Sequence, residues 1–200
     1  MSLPEDDYHT FDIFRYWLEF REVKLQLVYS DQELAGSGVH KLLQCWVFGD
    51  KMMAPYFKNS VIHSLVSVYS STRLVPGPGT VDFVYDNSPG ECGMRRALVD
   101  RCIWYPNRDW IARKDWAAAY RPDFVSDCFT RYVAAAKDYG LGSKADMRDV
   151  APSSSRICTT YHEHVQGDKV PCCETDEGYG EDEQEEEDDQ SESDTMDTSD

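Results

Sequence analysis

Apolar positions along this chain fall mostly at helical spacing, and in one stretch they alternate. Phe11, Phe14, Trp17 and Leu18 recur at i, i+3, i+6 and i+7, which predicts a helix with one broad apolar face, and Thr10 is placed to cap it. From 21 to 29 the period changes. In REVKLQLVY, Val23, Leu25, Leu27 and Tyr29 alternate with charged or polar neighbours, the pattern of a short half-buried strand or an extended connector. Gly36 and Gly38 break the chain before its cleanest amphipathic signal, a helix from Val39 to Met52 with Val39, Leu42, Leu43, Trp46 and Val47 on one face. Pro55 suits the first turn of a further helix, whose Phe57, Val61, Leu65 and Val68 share a face, so the two helices form a hairpin.

VPGPGT at 75–80 cannot continue a helix, because its prolines remove backbone donors and its glycines free the chain; it separates two helical groups. Val81 to Asp86 reads as a short helix ending at Asn87-Ser88-Pro89-Gly90. Met94, Leu98, Cys102 and Tyr105 line one face of the next, which Tyr105-Pro106-Asn107 ends. Asn107 or Asp109 then caps a helix carrying Trp110, Ile111 and Trp116. Pro122 opens the last helix, with Phe124, Cys128, Tyr132 and Ala136 at i+4 steps and Gly140 and Gly142 at its end. Periodic apolar positions are sparse from 141 to 173, which predicts a linker. All five tryptophans lie between 11 and 138. Aromatic side chains bury about 150–250 Å² each, enough to give this part of the chain a core.

The order and the letters of these elements carry a resemblance. FDIFRYWLEF at 11–20 is an aromatic helix ending in Trp17-Leu18. It is followed by LLQCWVFGDKMMAPYFKNSVIHSL at 42–65, with Phe48, Asp50 and Lys51 in one helix and Lys58-Asn59 opening the next. DFVYDNSP and MRRALVD then supply a turn at Tyr85 to Pro89 and an Arg-rich helix from Arg95 to Asp100. Over residues 10 to 135 this resembles the later helices of a fungal BTB/POZ domain. Trp17-Leu18 is followed by Glu19-Phe20 where the family usually has Tyr-Thr. The family's first half, with most of its sheet and much of its dimer contact, would lie before Phe11, and ten residues stand there.

The resemblance, taken with the alternation at 21–29 and the composition after 141, implies a mainly α, truncated BTB/POZ-like helical domain with one short strand or hairpin. Its parts would be a disordered start at 1–9, the BTB/POZ-like helices at 10–72, a helical segment at 80–140 packed on them, a linker at 141–173 and a disordered acidic tail at 174–200. It also implies a non-catalytic protein–protein interaction module, or more narrowly a substrate adaptor of a cullin-based ubiquitin ligase. The expected partner is a protein, a cullin or a second BTB domain; the family's usual homodimer is in doubt without the first-half strands.

Charge changes the picture at the C-terminus. Residues 174–200 hold 15 Asp or Glu and no Lys or Arg, against a net charge of -17 for the whole chain. Such a segment repels itself and has little apolar surface to bury, so disorder is expected. An acidic tail that binds basic proteins such as histones is therefore an alternative function. Between 94 and 131 the balance reverses, with Arg95, Arg96, Arg101, Arg108, Arg113, Lys114, Arg121 and Arg131 against five Asp. A solvated helical face explains such a run; the sharper reading makes Arg95, Arg96, Arg101 and Arg108 an interaction surface onto which the acidic tail folds. Nucleic acid is not an expected partner, since no reading-head motif accompanies the arginines. Ser191, three residues before Asp194, has the acidic context that acidophilic kinases favour.

Seven cysteines at 45, 92, 102, 128, 158, 172 and 173 are odd in number and irregular in spacing, so reduced thiols are expected. Cys158, His162, His164, Cys172 and Cys173 put five potential ligands in sixteen residues. They lack the C-x2-4-C or H-x3-5-H hook of a structural zinc site, and neither a metal nor another cofactor is expected. Cys45, Cys102 and Cys128 lie on apolar helical faces, and nothing links His40 or His63 to a cysteine. No phosphate-binding glycine loop, G-x-S-x-G or H-E-x-x-H occurs, and His162-Glu163-His164 is spaced wrongly for one helix turn, so catalysis is not expected. MSLPEDDYHT is acidic where a signal peptide is basic, and no apolar run approaches the ~18–20 residues of a membrane span. These features predict a soluble intracellular protein, in nucleus or cytoplasm, with no membrane partner.

Overall fold

A computed structural model describes residues 7–25, 37–72, 74–88, 90–105, 117–139 and 157–164 of the chain. The described residues are mainly helical and contain no strand. In chain order the helices are α1 (Tyr8–Phe20), α2 (Val39–Lys51), α3 (Pro55–Thr72), α4 (Pro78–Asn87), α5 (Gly93–Trp104), α6 (Pro122–Tyr139) and α7 (Ile157–Tyr161). A short 3-10 turn at Ala117–Ala119 precedes α6. α1 packs on α2 and α2 on α3; α4 spans α2 and α5; α3 and α6 both lie on α5, and α7 rests on α3 and α5.

Local chemistry sets the boundaries. Asp7 caps α1 by accepting from the His9 amide at 3.1 Å, and Arg21, left-handed at φ 58°, closes the last turn with a 2.8 Å bond to the Trp17 carbonyl. Thr10 is therefore not the cap; it lies inside the first turns, buried. The α2–α3 corner returns the Met52, Met53 and Ala54 amides to α2 carbonyls, with Met53 at φ 51°. At this corner a Cβ on Gly49 would stand 2.9 Å from both Phe57 Cδ1 and Lys58 Cγ, so glycine lets the two helices approach. Pro78 sits in the first turn of α4, where a missing N–H costs nothing, and the helix starts earlier than Val81 for that reason.

One aromatic layer joins α1 to the hairpin. The Phe14 ring lies 5.4 Å from Phe48 and 5.0 Å from Phe57, Trp17 lies 5.3 Å from Phe57, and Trp17 Nε1 donates to Ser60 Oγ at 3.0 Å. The predicted α1 face is rotated: Thr10, Ile13, Phe14 and Trp17 are buried, while Phe11 and Leu18 are 46% and 52% exposed. At about 100° per residue the buried four span an arc of about 100°, and Phe11 and Leu18 lie together beyond one edge of it. The hairpin keeps its expected stripe, except that Val47 and Val68 are only half-buried.

Other expectations change. Residues 21–25 form no strand; Arg21 ends α1 and Leu25 is buried, while Leu27 and Tyr29 lie outside the described residues. Of the 75–80 stretch, 75–77 interrupt the helices while 78–80 already belong to α4; Tyr120 Oη donates to the Pro76 carbonyl at 2.8 Å and α4 joins the common core. Tyr105 is exposed because α5 ends one residue earlier, leaving Trp104 buried in its place. In α6 the buried line runs Phe124, Cys128, Ala135, and Tyr132 is 43% exposed. Steps of four advance about 40° each, so by Tyr132 the line has rolled off the core and Ala135 returns to it. α6 is not the last helix. The stretch read as a linker contains α7, with Ile157, Cys158 and Tyr161 buried. The expected helix with Trp110, Ile111 and Trp116, residues Gly140 and Gly142, and the acidic tail lie outside the described residues.

Candidate interaction surface

Among the described residues the arginines do not form one free basic face. Arg95 is a clamp: its Nη2 donates to the Tyr85 and Ser88 carbonyls at 2.9 and 2.8 Å, its Nε to Ser88 Oγ at 2.9 Å, and its guanidinium lies 4.2 Å from the Tyr85 ring centre. Arg101 is a buried strut, 7% exposed, donating to the Leu74 carbonyl at 2.7 Å between the rings of Tyr69 and Tyr105. Burial works against its charge and pulls its pKa down from the ordinary guanidinium value. Arg96 is exposed and donates to the Thr160 carbonyl at 2.9 Å. Arg108, Arg113 and Lys114 lie outside the described residues. α5 is buried almost all round, so arginines on it must find acceptors rather than face water, which removes Arg101 from any docking surface.

Between α5 and α6 opens a cleft of about 440 Å³ whose charged lining is Glu91, Arg95, Arg96, Asp100, Asp127 and Arg131. Three guanidiniums stand against three carboxylates, so the cleft holds no excess positive charge to draw an acidic tail. Arg131 is bidentate to Asp100, at 2.8 and 3.2 Å, and Tyr85 Oη donates to Asp127 at 2.6 Å.

A second polar constellation was not visible in the sequence. Asn59, on α3, grips the Glu163 backbone from both sides: its Nδ2 donates to the Glu163 carbonyl and its Oδ1 accepts from the Glu163 amide, each at 2.9 Å. Lys58 Nζ donates to Glu163 Oε2 at 2.6 Å and Asp50 Oδ1 at 2.7 Å, 4.5 Å from the centre of the Trp46 ring. Burial disfavours the Lys58 charge, but the bonds to Asp50 and Glu163 outweigh it and hold its pKa above the ordinary lysine value. Tyr161 Oη donates at 3.0 Å to Asp100, which is 2% exposed and shared with Arg131. At the start of α5 a Cβ on Gly93 would lie 1.7 Å from the Tyr161 carbonyl oxygen, so only glycine admits this backbone.

The same junction gathers histidines. The His63 and His162 rings are 4.9 Å apart, His162 and His164 are 6.5 Å apart, and Cys158 Sγ lies 3.5 Å from His164 Nε2. Burial, then the neighbouring His63 and His164, push the His162 pKa down to about 4, and burial lowers that of His63. Sequence reasoning left His63 unconnected to any cysteine-bearing segment; the i, i+4 pair Ile157 and Tyr161 was the available signal. Among the described residues no group of three His, Cys, Asp or Glu is arranged to hold a metal ion. Cys172 and Cys173 lie outside them. Burial pushes the Cys45 and Cys128 thiols up to about 12, which suits small core hydrophobes.

Fold and site together define a mainly helical protein with an aromatic core and buried polar junctions. No family model matches the chain, and neither a curated protein nor a solved structure matches it. Among the described residues no helix is long and apolar enough to cross a membrane.

Proposed function

We propose that this protein is a non-catalytic protein–protein interaction module of the BTB/POZ type. The observation that carries the reading is the second apolar stripe of α1. Tyr8, Phe11 and Leu18 lie on one side of a helix whose other side is already buried, and all three are exposed. A helix apolar on two sides leaves one for a partner. The sequence order of Trp17-Leu18, Phe48-Gly49-Asp50-Lys51 and Lys58-Asn59 supports the family assignment. An intracellular site of action goes with this reading.

A ubiquitin-ligase adaptor is the narrower form of the proposal. Calorimetric titration of the full-length protein with the amino-terminal domain of a BTB-binding cullin tests it. The expected result is saturable binding near micromolar Kd, about −8 kcal/mol, weakened at least about tenfold by Phe11→Ser with Leu18→Ser. No heat with the folded wild-type protein counts against the adaptor. Binding that the double substitution leaves unchanged counts against the α1 stripe.

A further inference from the structure

Residues 157–164 are held as a bound peptide is held. Their backbone is read directly: Asn59 takes both the amide and the carbonyl of Glu163, and Arg96 takes the carbonyl of Thr160. Their side chains enter a surface made by α3 and α5. Ile157, Cys158 and Tyr161 are buried, the Tyr161 hydroxyl reaches Asp100, and the Glu163 carboxylate reaches Lys58. Main-chain bonds supply affinity and a few side-chain pockets supply selectivity, the usual division of labour in peptide recognition.

The receiving groups are fixed by neighbours outside the segment. Arg131 holds Asp100 through two bonds, and Asp50 and the Trp46 ring hold Lys58. Gly93 leaves the space that the Tyr161 carbonyl occupies. A groove organised in this way keeps its shape when the ligand leaves, which lowers the cost of rebinding.

We propose that the groove between α3 and α5 is a recognition site for a short peptide of the pattern Ile-x3-Tyr-x-Glu. The chain fills this site with its own residues 157–164, and a partner segment of the same chemistry competes for it. The tyrosine must be unmodified, because a phosphate would stand against the Asp100 carboxylate. The site shares no residue with the α1 stripe, so either proposal can fail without the other.

The test uses the full-length protein with a specific protease site placed within 143–150, and a fluorescein-labelled peptide of residues 155–166. After the cut, the carboxy-terminal fragment is expected to exchange with labelled peptide while the α1–α6 part keeps its cooperative melt. Before the cut, labelled peptide should bind about tenfold or more weakly, because the tethered segment competes at high effective concentration. Asn59→Ala should weaken binding to the cut protein at least about tenfold, and a phosphotyrosine peptide should not bind. A fragment that leaves only when the remainder unfolds, or a folded cut protein that takes up no peptide, overturns the proposal.

Discussion

The aromatic layer of α1, α2 and α3 and the junction of α3, α5 and residues 157–164 are held by different forces. In the first, Phe14, Trp17, Phe48 and Phe57 meet ring to ring, and apolar area removed from water supplies the stability. In the second, Ile157, Cys158 and Tyr161 also bury apolar surface, but charged and amide groups pair across the chain beside them, each exchanging bonds to water for bonds to protein at a small net gain. Apolar burial is strong and indifferent to direction; paired polar groups are weak and specific. A protein that must hold its shape while exchanging a segment needs the first in its frame and the second at the exchange site.

The largest break in this comparison is expected from Trp46→Ala. The side chain is fully buried on α2 with Lys58 Nζ over its ring, and its loss should lower stability by about 3–5 kcal/mol in a denaturant titration. Gly93→Ala should cost about 1–3 kcal/mol, with the loss falling on the 157–164 segment rather than on α2 and α3, as local proteolysis would show. Asp100→Asn weakens the bonds to Arg131 and Tyr161 together, and about 1–2 kcal/mol is expected by the same titration.

Acid should act on the junction first. His162 on the segment and His63 on α3 titrate below the ordinary histidine value in the folded protein, so the open junction binds protons more readily than the docked one. Their contribution is complete above pH ~6.5 and is lost as the pH falls toward about 4, the His162 value. Lys58 and Glu163 form an ion pair at the same junction, and His164 and Cys158 adjoin the cluster on the segment. Histidine NMR titration checks the direction, and His162→Gln should flatten the loss of docking over that range. The smallest effect belongs to Arg96→Ala. It removes one exposed bond to Thr160 and should cost under about 1 kcal/mol.

The two regions also differed in how far the sequence revealed them. The α2 and α3 stripes follow from local spacing, although α2 is buried against α1 and α4 as well as α3. α1 is harder to read: its aromatic content exceeds what one interface covers, so spacing alone places Phe11 and Leu18 inward while the structure turns them outward. Lys58 and Asn59 stand side by side in the sequence, but their partner Glu163 is more than a hundred positions away, and no periodicity encodes that distance. Arg101 and Asp100 read as surface charges because residue type alone favours exposure, and here acceptors brought by other helices overrode it. A five-residue helix such as α7 offers too few apolar positions to stand out from a linker.

Native-state hydrogen exchange on the full-length protein measures the separability of the two regions most directly. The Glu163 amide, bonded to the Asn59 side chain, reports the junction; the Val61 and Leu65 amides report the frame. Exchange at Glu163 through an opening that leaves Val61 and Leu65 protected, and that low denaturant barely changes, is the predicted result. Equal opening free energies at all three would make residues 157–164 part of the core and contradict the account.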